Sequence, residues 1–205
     1  MYTPQHFEAT DPALLIELMR RFSFATLVTM HEGRPLASHL PFLVYPDAGD
    51  RGCLVAHMAR ANEQWRDFAS GAEALVIFQG DHTYITPSWY TVHPSVPTWN
   101  YMVVHAHGVP KVIADDEQVR EVLGALVDTH EAAFEAPWPM NLPDQYMRKM
   151  MRGIVAFEIP ISRLEGKFKL SQNRSAIDRQ RVIDALDAGG DPVEQRVAAM
   201  MRTVT

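Results

Sequence analysis

Short β-prone runs succeed one another along this chain at hairpin spacing, with no regular strand–helix–strand alternation between them. Phe24–Met30 and Pro35–Tyr45 flank the turn residues His31-Glu32-Gly33-Arg34, and Cys53–Met58 follows a second turn at Asp47–Gly52. Ala74–Gln79 comes next, then Thr98–Ala106 and Val109–Ala114, joined tightly at His107-Gly108. Ile154–Ile161, ending at Pro160, and Arg163–Leu170 complete the series. A doubly wound parallel sheet would need a crossover helix between successive strands. The expectation is therefore a mainly β fold with added helices, built as an antiparallel barrel. With 205 residues, 47% of them apolar and 21% charged, one full-sized core forms without disulfides or a structural metal. The single cysteine, Cys53, lies in an apolar run and reads as a small buried hydrophobe.

Helices are inserted among these strands and follow them. Thr10-Asp11-Pro12 is a helix start, with Leu14, Leu15, Leu18 and Phe22 at helical spacing behind it. Asp115–Glu135 carries Val119, Val122, Leu123, Leu126 and Val127 inward, and Asp144–Met151 is a short helix whose basic residues face solvent. Ser175 or Asn173 caps a helix through Leu186, with Ile177, Val182, Ile183 and Leu186 on one face. Asp191-Pro192 starts another, bearing Val193, Val197 and Met200. Residues 1–170 are thus expected to form the barrel with its inserted helices, and 171–205 a helical extension packed on a dimer.

Three stretches carry candidate chemistry. Between Thr83–Thr86 and Thr98–Ala106 lies a loop stiffened by Pro87, Pro94 and Pro97, with Tyr84, Trp89, Tyr90, Trp99 and Tyr101 crowded around it. Its rings either complete the core or cover a flat ligand or subunit interface. Ser38-His39 interrupts an apolar strand just before Leu40-Pro41, and polar groups there need partners. Arg60 stands beside Asn62, an N-cap for a short helix ending at Gly71; a guanidinium next to free helix N–H groups suits an anion such as phosphate. His105-x-His107 places two imidazoles on one strand face, which without a carboxylate or cysteine nearby falls short of a metal site.

Several segments, taken together and in order, are similar to one family, the PaiB-like FMN-binding proteins, also labelled negative transcriptional regulators. They are MYTPQHF at the start, ASHLPF at Ala37–Phe42, HMARANEQW at His57–Trp65, YITPSWY at Tyr84–Tyr90, VPTWNY at Val96–Tyr101 and GKFKLSQNR at Gly166–Arg174. The resemblance implies an antiparallel split β-barrel of the pyridoxamine-phosphate-oxidase type, a homodimer with FMN at the subunit interface. It implies that Ser38, His39, Leu40 and Pro41 offer strand backbone along the flavin edge. His57, Ala59, Arg60, Asn62 and Trp65 belong to the segment expected at the phosphate. Lys169, Gln172 and Asn173 are expected as polar contacts near the ring, in one arrangement from the partner subunit.

The function so implied is FMN binding, with flavin-dependent oxidoreductase activity on a small-molecule substrate or flavin-linked regulation. A DNA-binding repressor and a haem-binding or haem-degrading split barrel are the alternatives. The net charge of −6 weighs against a DNA reader, as do Asp178, Asp184 and Asp187, which offset Arg174, Arg179 and Arg181. No nucleophile–base–orienter set is legible, so no catalytic residue is assigned, and flavin carries its own redox chemistry. The N-terminus has neither a basic n-region nor an apolar h-region, and no apolar run reaches the length of a membrane span, so a cytoplasmic protein is expected.

Overall fold

In chain order the elements are β1 (Glu8–Ala9), α1 (Pro12–Arg21), β2 (Phe24–His31), β3 (Arg34–Pro41), β4 (Leu43–Tyr45) and β5 (Cys53–Ala59). There follow β6 (Ala74–Ile85), β7 (Thr98–Gly108), β8 (Lys111–Val112), α2 (Asp116–Glu131), α3 (Asp144–Met151), β9 (Ile154–Lys169), α4 (Ala176–Ala188) and α5 (Pro192–Thr203). Short 3-10 segments stand at Gln5–Phe7, Glu63–Ser70 and Pro87–Trp89. These assignments come from a computed structural model that describes residues 1–204. The strands follow the order β3-β2-β6-β7-β9-β5-β4, with β1 and β8 also on β9, and the sheet is not closed. This is the antiparallel split barrel expected from the sequence.

Local chemistry explains the first hairpin. Glu32 and Gly33 both have positive φ, 50° and 77°, which sets a two-residue turn whose twist matches its flanking strands. The run 35–45, expected as one strand, is two. Pro41 still pairs with Phe24 of β2, after which the Phe42 N–H turns to the Ser23 carbonyl at 2.9 Å and its ring enters the core. Leu43 then pairs with Val55 of β5, so one apolar run serves two partners.

Two other expectations divided strands that are continuous. β6 runs through its polar residues because Asp81, 7% exposed, is neutralised by both Nε and Nη2 of Arg196, at 2.9 Å each. β9 runs through Pro160, which pairs with Cys53; hydrogen bonding resumes at the Ile161 N–H, 3.0 Å from the Gly52 carbonyl. β8 is shorter than its β-prone run and begins only after Pro110, which has no N–H to give.

The chain divides into two compact units. One comprises Met19–Ile77 and Ala106–Leu164. Leu27, Phe42, Leu54, Met58, Val76, Phe157 and Ile159 are its innermost side chains. The Phe157 ring meets Phe42 edge-on at 6.2 Å and Phe68 at 5.0 Å. β5 is apolar on both faces for a reason: Cys53 and Val55 pack outward with Leu43 against Val122 and Leu126 of α2. Val119 of α2 joins Met147 and Met151 of α3 over Ala156.

The other unit comprises Met1–Leu18, Phe78–His105 and Glu165–Thr205, so the helical tail shares it with the aromatic loop. Val182, Ile183 and Leu186 of α4 and Val197 and Met201 of α5 are buried within this one chain. Ile177, expected on the same apolar face, is 66% exposed instead. Its neighbour Asp178 turns inward and accepts from both the N–H and the hydroxyl of Thr91, at 2.6 and 2.7 Å. Tyr90 is buried and completes the core at the loop's base, whereas Tyr84 and Trp99 stand exposed.

Those Thr91 bonds hold the Asp178 carboxyl below its ordinary range. Its stabilising contribution is therefore present above the unfolded carboxyl pKa and is lost as pH falls through the lower folded value. Asp178→Asn should melt earlier than wild type at pH 7, and the two melting curves should converge in strong acid. An equal difference at both pH values would show that the charge is not what Thr91 reads.

Candidate functional site

Asn62 organises a polar corner between β5 and the 3-10 segment Glu63–Ser70. Its Oδ1 accepts from the Gln64 N–H at 3.1 Å, capping Glu63–Ser70, and its Nδ2 donates to Ser38 Oγ at 2.8 Å. The cap and the strand polar residue singled out from sequence are thus joined directly, and the Ser38 hydroxyl proton remains to be given elsewhere.

Arg60 is more constrained than a surface cation. Its Nε donates to the Arg152 carbonyl at 2.9 Å and its Nη2 to the Ile154 carbonyl at 2.7 Å. Its backbone N–H bonds the Gly153 carbonyl at 2.8 Å, and its own carbonyl accepts from Trp65 Nε1 at 3.0 Å. The guanidinium also lies 5.9 Å from the Trp65 ring centroid. Two of the five guanidinium N–H donors are thereby committed to orienting it, and the others remain for a ligand.

The remaining expected residues sit around this corner in differing states. His39 is exposed on β3, its Nδ1 3.0 Å from Thr26 Oγ1 and its ring stacked near Phe24. Leu40 and Pro41 are half-buried opposite Ala25 and Phe24. Ala59 ends β5 and accepts the Asn62 N–H at 2.9 Å. His57 is half-buried, its Nδ1 is buried without a protein partner, and burial lowers its basicity.

Sequence reasoning overlooked Gln64. It is fully buried, and its Nε2 reaches the Leu27 carbonyl at 3.3 Å, Thr29 Oγ1 at 3.2 Å and the Leu36 carbonyl at 3.0 Å. Thr29 in turn donates to Asp67 Oδ2 at 3.0 Å, and Asp67 Oδ1 lies 2.8 Å from His31 Nδ1. The only available signal was an uncharged amide two residues after the cap, where a helix inner face begins.

Lys169, Gln172 and Asn173 belong to the other compact unit. The Lys169 ammonium donates to Thr98 Oγ1 at 2.5 Å and to the Trp99 carbonyl at 2.6 Å. Gln172 turns back on its own backbone: Oε1 accepts from the Leu170 N–H at 2.7 Å and Nε2 donates to the Phe168 carbonyl at 2.6 Å. Asn173 is exposed beside Ser171, whose positive φ of 65° turns the chain out of β9. One expectation about the histidines is corrected: a carboxylate does stand near His107, with Glu73 Oε2 3.5 Å from its Nδ1.

A flavin mononucleotide asks for donors held rigidly at its phosphate and strand backbone beside its ring. The corner fits that group: Arg60 is oriented by fixed carbonyls, the Ser38 hydroxyl proton is uncommitted, and His57 has a buried ring nitrogen that the protein leaves unpaired. When bound, the flavin supplies one- and two-electron redox chemistry.

Comparison with known proteins agrees. Residues 1–163 match the family described as "Putative FMN-binding domain". The chain is 35% identical over 203 residues to protease synthase and sporulation protein PAI 2 of Bacillus subtilis, covering 98% of this chain and 96% of that one. Among solved structures, the FAD and heme binding protein of Mycobacterium smegmatis has a TM-score of 0.63 at 22% identity, over 90% of this chain and 80% of that one. The flavocytochrome Anf3 of Azotobacter vinelandii has a TM-score of 0.61 at 13% identity, over 82% and 72%. At such identities these two structures speak for the fold alone. Family match, full-length relative and fold converge: this chain belongs to the PaiB-like family of FMN-binding split-barrel proteins.

Proposed function

We propose that this protein is a cytoplasmic, homodimeric flavoprotein that holds the FMN phosphate at Arg60, Asn62 and Ser38 and acts as a flavin-dependent oxidoreductase on a small molecule. The observation that carries the phosphate assignment is the Asn62–Ser38 hydrogen bond, two residues along the chain from an arginine whose guanidinium is already oriented by two carbonyls. In this reading Leu40, Pro41 and His39 lie along the flavin, His57, Ala59 and Trp65 complete the phosphate corner, and Lys169, Gln172 and Asn173 supply contacts near the ring. The absorbance spectrum of purified protein tells flavin from haem at once. Arg60→Ala should then weaken FMN by about 1.5–3 kcal/mol, the range for a hydrogen bond to a charged group. Riboflavin, which lacks the phosphate, should bind both proteins alike. Equal losses for the two ligands would put the phosphate elsewhere.

Support for a dimer comes from exposed apolar strand surface. On β2, Phe24 is 69% and Met30 53% exposed, with Thr26 and Val28 half-buried between them. The tail is not part of that support, since its apolar face is covered within one chain. Sedimentation should find no stable flavin-loaded monomer of 23.2 kDa at micromolar concentration. Finding one would exclude the dimer.

Regulation, in this reading, follows from flavin state or metabolite level rather than from direct reading of DNA. The arginines of the tail are engaged by their own chain. Arg179 donates to the Met201 and Val204 carbonyls, Arg181 to the Trp89 carbonyl at 2.7 Å, and Arg174 covers the Tyr90 ring at 4.1 Å. Cations so placed are poor releasers of phosphate counterions. Among the described residues, no helix is long and apolar enough to cross a membrane.

A further inference from the structure

In the unit formed by Met1–Leu18, Phe78–His105 and the residues from Glu165 onward, the outer faces of β6 and β7 border a cavity of about 570 Å³. Gln79, His82, Trp99, Tyr101 and Val103 line it. Its walls are aromatic, with the Trp99 ring 6.1 Å from His82 and 5.8 Å from Tyr84. Positive charge stands beside two of these lining residues. Lys167 Nζ lies 5.5 Å from the Tyr101 centroid and donates to the Tyr2 carbonyl at 3.0 Å. Lys169 is fixed on the backbone of Trp99 itself, at 2.6 Å. Arg174 donates to Ser95 Oγ at 3.4 Å.

Lys169 has two of these cations as near neighbours. Burial, then Lys167 and Arg174 as like charges, depress the Lys169 ammonium below its ordinary pKa. The carboxylates of this region are engaged elsewhere: Glu165 takes the Met1 amino group at 2.8 Å, and Asp178 takes Thr91. Glu8, opposite Lys167 in the β1–β9 register, is exposed. The ammonium of Lys167 keeps two N–H donors beyond its bond to Tyr2, and that of Lys169 keeps one. Flat apolar walls with ammonium N–H donors to spare at one end complement a flat molecule that ends in negative charge.

We propose that this groove binds a planar aromatic carboxylate, its ring against Trp99 and Tyr101 and its carboxylate at Lys167. The inference deepens the flavoprotein reading by naming the substrate class, and rests on it only for the redox chemistry such a ligand would meet. The test is calorimetric titration of the full-length, FMN-saturated protein with 2-naphthoate and with its neutral counterpart 2-naphthamide. Wild type should prefer the naphthoate by about tenfold or more, the ratio expected of a charge-assisted hydrogen bond. Lys167→Gln should erase that preference while leaving naphthamide and FMN affinities unchanged, and Trp99→Ala should weaken both naphthyl probes. Equal affinity of wild type for the two probes would overturn the proposal. So would a Lys167→Gln variant that loses FMN as strongly as naphthoate, because the cations would then serve the flavin phosphate; the flavoprotein reading would survive that result. A protein that binds no FMN yet keeps the naphthoate preference would leave the groove standing and overturn the flavin reading.

Discussion

Gly108→Ala is expected to unfold or severely destabilise the protein although it adds a single methyl group. A Cβ at this position would stand 2.2 Å from the Pro160 carbonyl oxygen and 2.7 Å from Ile159 Cγ2. The first of these is backbone, so no side-chain rotation relieves the overlap, and β7 and β9 would have to part. Overpacking in a well-packed interior costs about 1–3 kcal/mol when side chains can shift, and more when they cannot. That is a large share of the roughly 5–15 kcal/mol by which a domain of ordinary size is stable. Urea denaturation followed by tryptophan fluorescence measures it. A midpoint within experimental error of wild type would mean that these strands lie farther apart than described.

Gln64→Leu is the second large effect, and it links the core to the site. The substitution preserves volume but removes both N–H donors of Nε2, which the Leu27 and Leu36 carbonyls and Thr29 Oγ1 share. At about 1 kcal/mol for each buried hydrogen bond, the loss is about 2 kcal/mol. The damage should reach the ligand corner as well, since Gln64 lies two residues from Asn62 and its N–H is the one that Asn62 caps. FMN affinity should therefore fall along with the urea midpoint, although Gln64 is not placed at the phosphate. A variant with lowered stability but unchanged FMN affinity would separate the corner from its support.

Much of the architecture was legible because its causes are local. Asn62, Asp115, Ser175 and Asp191 each accept from a backbone N–H two or three residues onward, so each cap could be read from its own neighbourhood. Hairpin spacing announced an antiparallel sheet, and His31-Glu32-Gly33-Arg34 announced its first turn, which closes at Glu32-Gly33. The candidate residues from Ser38 to Trp65 were legible for another reason: they sit in segments with a family resemblance, and the Asn62–Ser38 bond shows two of them meeting.

What the sequence by itself determined, then, is where helices and turns begin, which class of sheet the strands build, and which polar residues stand out from apolar surroundings. Tertiary structure alone decided which partner each strand takes and where each long side chain spends its donors. The run 35–45 divides because Pro41 still pairs with β2 while Leu43 pairs with β5, and the run itself carries no mark of that exchange. β6 passes through Asp81 only because Arg196 arrives from 115 residues away. The Arg60 guanidinium is aimed by carbonyls 92 and 94 residues downstream, and the Gln64 amide nitrogen finds its acceptors on strands 28 to 37 residues before it. A cap is a contact between near neighbours, whose geometry a few dihedrals set. A buried donor instead takes whatever acceptor the folded sheet brings within 3 Å or so, and that distance exists only after the long-range pairings have formed.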